Sequence, residues 1–311
     1  MGVIIDVLTI GLQTGAIYAL IALGLALVFK ATKVLNFAHG EIGTTSAFIA
    51  LGVMKLMQSA GILDNPDAPG MLTGAQLLAA VVPALLVGAV LGVGTKLVID
   101  RLKDATPVTT LVATIGIAVF MTALQIVVVG VEGDSFPRFI NGNAFTVPGG
   151  NVALSWHTII ILVVLGIAAA LLAIYFKTPH GIALLATSQD PFAAELQGVN
   201  VKAMTASAWG VAGALAAIAG LLGAGVFNLL TPGLLLTTFL IPAFTGALLG
   251  GITSMVGAVV GGLLLGLVVT AANQINSSLS LGLSGPPAIA VLAALLLVLL
   301  LRPRGLLGSE A

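Results

Sequence analysis

The sequence predicts an all-α, polytopic bundle of about eight to ten transmembrane helices, because apolar stretches near the roughly 20 residues that cross a hydrocarbon core recur from end to end. Two further observations agree. The 311 residues are 59% hydrophobic and 7% charged, whereas a soluble domain carries about 25% charged residues to cover its surface. Many of the 39 glycines fall inside the apolar stretches, as in membrane helices, where small residues let backbones approach. Apolar spans throughout argue for one transmembrane domain over residues 1–311 rather than two soluble ones.

Nine spans are predicted, at 7–29, 38–58, 71–98, 107–130, 156–176, 204–227, 235–251, 255–275 and 286–301. The first is read as a retained helix, because Met1 to Asp6 offers neither a basic n-region nor a small-residue cleavage site. The seventh and eighth are joined by Gly250-Gly251-Ile252-Thr253-Ser254, a turn so short that a broken or re-entrant pair is an alternative. Small-xxx-small spacing at Gly11/Gly15, Gly88/Gly92, Gly246/Gly250, Gly257/Gly261 and Gly262/Gly266 marks candidate sites of close helix crossing.

Orientation follows from Lys and Arg, which gather on the cytoplasmic side. With the N-terminus outside, the inner segments hold Lys30, Lys33, Lys96, Arg101, Lys103, Lys177, Lys202, Arg302 and Arg304, and the outer ones only Lys55 and Arg138. A missed span would spoil that bias, so the C-terminus is expected in the cytoplasm. The outer segments are expected to be loops: residues 64–70 are dense in turn formers, and residues 131–155 form the main external loop.

The longest cytoplasmic segment is residues 177–203. Thr178-Pro179 reads as a helix start, Asp190-Pro191 as a second start with Asp190 as N-cap, and Gly198 as a stop. A short helix, a turn and another short helix outside the bilayer either dock on a partner or lie among the headgroups.

Ionisable groups inside spans are expensive and are functional candidates. The strongest cluster is Asn36-Phe37-Ala38-His39-Gly40-Glu41. His39 and Glu41 are two apart, so they line one cavity only if the backbone is irregular, which Gly40 permits and which a membrane tolerates around a cavity. The alternative is that Asn36 caps the helix with Glu41 near its positive end; the two readings are compatible. Gln13 and Thr45 join Asn36, His39 and Glu41 as candidate pathway residues. Gln13, Thr44, Thr45, Thr114, Gln125, Thr237 and Thr245 each also fit interhelical hydrogen bonds. Trp156 and its neighbour His157 are expected in the interfacial aromatic belt, and His180 in solvent.

Several function classes are excluded. No basic patch suggests nucleic-acid binding. There is no cysteine, hence no disulfide framework or cysteine metal site, and the three histidines lack metal-ligand spacing. The sequence contains no G-x-x-x-x-G-K-[ST] phosphate loop and no nucleophile elbow, so neither ATP chemistry by that route nor a catalytic residue is expected. Glu41 is almost alone among intramembrane acids. A stand-alone channel or ion-coupled carrier, for urea or amides among others, therefore stands as the alternative to a pathway energised from outside the chain.

The run from Gly11 to Ile42, GLQTGAIYALIALGLALVFKATKVLNFAHGEI, and above all its Asn36–Glu41 core, resembles the opening of permeases of the branched-chain amino acid ABC importers. These include the LivH-like subunits and the related urea-importer permeases. Gly181, Asp190, Ala194, Gly198, Val199 and Asn200, the run Ala243–Gly266 and the end LLLRPRGLLG extend the resemblance in colinear order. The resemblance implies the ABC importer permease fold and a place in the bacterial cytoplasmic membrane. It also implies partners beside membrane lipid: a second, paralogous permease, two cytoplasmic ATPase subunits that bind ATP-Mg, and a solute-binding receptor. On that basis the loop holding His180, Gly181, Asp190, Glu195, Gly198 and Asn200 would seat in an ATPase cleft.

Overall fold

The computed structural model describes residues 2–62, 74–102, 106–146, 153–280, 282–302 and 305–308. The expected turn at 64–70 lies outside them, as do Lys103 and Arg304.

Helix α1 (Gly2–Thr32) runs the length of the bundle. It is followed by α2 (His39–Ser59), α3 (Gly74–Ile99), α4 (Pro107–Val129) and α5 (Trp156–Tyr175). The short α6 (Pro179–Gln189) and α7 (Pro191–Leu196) lead into α8 (Val201–Phe227). A π-helical turn, Leu235–Leu240, continues into α9 (Ile241–Gly250), and α10 (Met255–Ser278) and α11 (Pro286–Leu301) complete the bundle. Six of these, α1, α3, α4, α5, α8 and α10, are long and apolar enough to cross a membrane. The chain is a multi-pass membrane protein. These six, α2, α11 and the unit Leu235–Gly250 each lie close to a predicted span, and α6 and α7 fall in the expected loop at 177–203.

Side-chain caps fix most of the starts. Thr106, Ser155, Thr178, Asp190, Asn200 and Ser254 accept from backbone amides of α4, α5, α6, α7, α8 and α10 respectively. The segment after α4 departs from a plain loop. Strands β1 (Asp134–Ser135), β2 (Asn143–Thr146), β3 (Ala153–Ser155) and β4 (Leu229–Leu230) form two antiparallel ribbons, β1 with β4 and β2 with β3.

Helices α1 and α8 are the buried axis, with 78% and 72% of their most apolar windows enclosed. All five predicted glycine pairs lie at tight crossings. Cβ atoms at Gly11 and Gly15 would stand 2.9 and 2.8 Å from Leu267 and Leu263 of α10, and at Gly88 and Gly92 they would meet α8 backbone oxygens at 2.6 and 2.2 Å. Gly246 and Gly250 face Gly262 and Gly257, so α9 and α10 form a hairpin with backbones in contact. The unit Leu235–Gly250 has 16 residues, or about 24 Å at 1.5 Å per residue, which is short of the hydrocarbon thickness.

The bundle has two unlike ends. Lys33, Lys96, Arg101 and Lys202 gather where α1 and α3 finish and α8 begins. Lys55, paired with Asp134, and Arg138, bonded to the carbonyls of Gly225 and Val226, lie at the ribbon end.

Candidate functional site

Helix α2 starts inside the bundle. A Cβ on Gly24 would stand 2.3 Å from the His39 ring, and Gly24 lies eight residues before the end of α1 at Thr32, about 12 Å along the axis. Residues 33–38 return from the basic end to that depth without regular structure. Lys33 turns the chain with φ 57°. Thr114 of α4 holds the returning strand: its hydroxyl accepts from the Phe37 amide at 3.2 Å and lies 3.2 Å from the Leu35 carbonyl. The expected cap is modified here. Ala38 occupies the cap position, and Asn36 Oδ1 accepts the Ala38 amide at 3.1 Å, one step earlier.

A second irregular segment meets this one from the ribbon end. After Asn228, in the left-handed region at φ 51°, the chain passes through β4 and Gly233 into the π-helical turn. Leu235 N donates to Thr44 Oγ1 at 3.2 Å, and Gly40 packs against the Leu235–Leu236 backbone. Gly43 and Gly220 let α2 and α8 touch, a Cβ at Gly220 standing 2.1 Å from the Gly43 carbonyl oxygen. Two broken segments thus converge on the first turns of α2, with backbone amides and a positive helix end inside the membrane domain.

Gln125 of α4 ties them together. Its Nε2 donates to Glu41 Oε2 and Thr45 Oγ1, both at 2.9 Å, and its Oε1 accepts the Gly233 amide at 3.1 Å. Both His39 ring nitrogens and Glu41 Oε1 are buried without a hydrogen-bond partner. They are three of the six such atoms among the described residues, so the unmet polar capacity concentrates in this motif. An unpaired buried polar atom costs about 1–3 kcal/mol, and among the described residues this motif holds the most of them.

The polar chain opens on a groove. Thr45 and Gln125 form the polar end of a cavity of about 730 Å³ between α2, α3 and α4, otherwise walled by Phe48, Ile49, Leu91, Phe120 and Leu124 among other apolar side chains and by Thr95, whose hydroxyl is bonded to the Leu91 carbonyl. That volume lies within the range of small-molecule sites. Glu41 stands one layer behind the wall, through its bond to Gln125. Among the described residues no three His, Asp or Glu side chains converge on a metal site.

The model of the family described as branched-chain amino acid transport system, permease component, matches residues 7–301. The chain belongs to this family. It is 30% identical over 309 residues to the high-affinity branched-chain amino acid transport system permease protein BraD of Pseudomonas aeruginosa, covering 96% of this chain and 94% of BraD. It is 28% identical over 301 residues to LivH of Escherichia coli, covering 96% and 93% of the two chains. A probable branched-chain amino acid permease protein LivH of Methanocaldococcus jannaschii is 27% identical over 257 residues, covering 80% of this chain and 74% of that one. No solved structure matches the chain.

The permease joins Glu41 to Thr45 through Gln125, sets the His39 ring against Gly24 of α1 instead, keeps Asn36 in the turn before α2, and leaves Gln13 apart. Gln13 faces a separate cavity of about 440 Å³ at the ribbon end, shared with Arg138, Asn143 and Ser155. His157 departs from the aromatic-belt expectation. Trp156 is half exposed, but His157 is fully buried, with Nε2 3.2 Å from the Leu222 carbonyl oxygen and its ring against Gly225. The missing side chain at Gly225 creates the slot that takes the imidazole. Gln125 was legible only as one more polar residue in an apolar span; its partners are 84, 80 and 108 residues away.

The α6–α7 loop divides into two groups. His180 and Gly181 turn back onto the permease bundle: His180 Nε2 lies 3.1 Å from Ser207 Oγ, and a Cβ on Gly181 would stand 2.1 Å from the Tyr175 carbonyl oxygen. Asp190, Glu195, Gly198 and Asn200 surround α7. Asp190 Oδ1 accepts the Ala193 amide at 3.0 Å, Gly198 turns at φ 80°, and Asn200 Oδ1 accepts the Ala203 amide at 3.0 Å. Phe192 and Leu196, each 71% exposed, project from α7 one helical turn apart.

Proposed function

We propose that this chain is the transmembrane permease subunit of an ATP-binding-cassette importer for branched-chain amino acids or related small polar solutes. The observation that carries this reading is the polar chain Glu41–Gln125–Thr45 at the end of an apolar groove, beside a helix that begins inside the bundle. An amino acid with an aliphatic side chain has that same division: a hydrocarbon portion for the groove, and charged α-groups for a carboxamide, a hydroxyl and, behind them, a carboxylate. In this reading Asn36, His39 and Glu41 hold the irregular backbone and the charge that the solute passes, and Thr45 contacts it. Gln13 would meet the solute earlier, at the ribbon end.

The basic end faces the cytoplasm by the charge bias of Lys and Arg, with the N-terminus outside. That orientation exposes α7 to the cytoplasm, where Phe192 and Leu196 form the apolar tip of a loop that docks on an ATPase subunit. Asp190, Glu195, Gly198 and Asn200 shape the tip, and His180 and Gly181 anchor it to the bundle. Two such ATPase subunits carry ATP-Mg and supply the energy, a second permease, most simply a paralogue, closes the groove, and a receptor delivers the solute.

The test is uptake into liposomes of the chain purified with its partner subunits. Uptake that requires ATP, and that stops when the ATPase subunits are omitted, supports the reading. Solute transport by this chain alone overturns it.

A further inference from the structure

We propose that the basic end of this chain carries a binding site for the phosphate headgroup of an anionic phospholipid, separate from the solute groove. A cavity of about 780 Å³ lies between the end of α1, the end of α3, the α6–α7 turn and the start of α8. Lys33, Lys96, Arg101 and Lys202 line it, and Asp100 is the one acid among its lining residues. Lys96 is buried and paired with Asp100. Lys33, Arg101 and Lys202 are exposed and make no ion pair among the described residues, and all three line the one space.

Two features select an anion. The first turn of the 27-residue α8 opens on the cavity at Val201 and Lys202, adding a positive helix end to the three cations. The neighbouring hydroxyls have already donated: Thr32, Thr187, Ser188 and Thr205 bond to carbonyl oxygens of their own helices. The donors that remain for an occupant are therefore the ammonium and guanidinium groups, which suit phosphate oxygens.

One feature selects a lipid over a free ion. Leu97 lines the same cavity and is 55% exposed. The charged space thus continues onto the apolar outer face of α3, as a headgroup continues into an acyl chain. Basic pockets between transmembrane helices take such headgroups. Trp209, itself 1% exposed and bonded to Thr32 Oγ1, floors the site and ties it to α1.

The experiment measures lipid retention by the purified full chain in mixed micelles, with phosphatidylglycerol, phosphatidylcholine and inorganic phosphate as probes. Wild-type chain should retain phosphatidylglycerol at least tenfold better than phosphatidylcholine. The exposed triple variant Lys33→Gln/Arg101→Gln/Lys202→Gln should lose that preference while keeping its elution volume. A control with Lys30→Gln/Lys177→Gln removes two charges from the same end outside the cavity and should keep the preference. The single variant Lys202→Gln, with about a threefold loss, replaces the triple one if that one aggregates. Equal retention of the two lipids by wild type, or a preference that survives the cavity variants or falls equally in the control, overturns the site. Displacement of the lipid by inorganic phosphate at equal concentration overturns the lipid assignment in favour of a free-anion site.

Discussion

Gln125 of α4 and Glu41 of α2, 84 residues apart in sequence, are joined by a buried 2.9 Å hydrogen bond. The bond fixes the depth at which α2 begins, because the same carboxamide also holds Thr45 and the Gly233 amide. Gln125→Ala would remove the 2.9 Å bond to Glu41 Oε2 and the acceptor of the Gly233 amide. We expect uptake to fall at least tenfold and stability to drop by about 1–3 kcal/mol. Unchanged uptake, measured in liposomes beside a thermal-unfolding control, would reduce Gln125 to a packing residue.

Glu41→Gln preserves size and hydrogen-bonding capacity but removes the charge. It should assemble with normal yield and lose most uptake. His39→Ala should behave alike, since no hydrogen bond ties the ring to the fold. Normal uptake in both variants would return the motif to helix initiation alone.

Gly24 and His39 form a pair that can be tested by compensation. Gly24→Ala brings a methyl group within 2.3 Å of the imidazole, in a site with no room to turn, and overpacking of this kind costs about 1–3 kcal/mol. Adding His39→Ala should restore most of the lost stability. A double variant no more stable than Gly24→Ala would show that the strain lies elsewhere.

The α9–α10 hairpin depends on glycine. Gly250→Ala would put Cβ 1.7 Å from the Gly257 carbonyl oxygen, and Gly261→Ala 2.0 Å from that of Gly246. Both should destabilise by roughly 3 kcal/mol or reduce yield sharply. Gly116→Ala and Gly166→Ala meet nothing within 4 Å and should be neutral or stabilising by up to about 1 kcal/mol, as alanine favours helix. Equal effects of the two sets, read from unfolding midpoints, would refute the contact argument.

At α7, Phe192→Ala and Leu196→Ala remove exposed side chains and should leave unfolding unchanged while lowering ATPase copurification severalfold. Asp190→Ala removes the α7 cap, worth about 1 kcal/mol, and should raise ATP consumed per solute moved. Full ATPase recovery in the two apolar variants would place docking elsewhere on the chain.

Much of the fold was legible because a bilayer leaves few options. Backbone groups in hydrocarbon must bond within a helix, so apolar length alone marked the spans. Caps at Thr178 and Asp190 were equally local, since each oxygen reaches an amide three residues on. The five glycine pairs also announced themselves by spacing, although their partners did not. The candidate site was legible in part. Asn36, His39 and Glu41 stood out because ionisable groups in spans are rare, while Gln125 did not stand out from a dozen other polar residues. That Gln13 faces a separate cavity at the ribbon end was not legible, because sequence gives a residue's place in its span and not the side of α1 it faces.

By itself, then, the sequence determined that this chain spans a membrane many times, which end is basic, where helices start and stop, and which hexapeptide carries the expensive polar groups. These properties depend on composition and on contacts within a few residues. Only the tertiary structure decided that α2 begins about 12 Å inside the bundle, that the π-helical turn closes over it, and that His157 is buried against Gly225 while Trp156 remains exposed. Depth and burial are set by which glycines on distant helices meet, and by a carboxamide that joins three segments. Such contacts between residues far apart in the chain leave no periodicity along it.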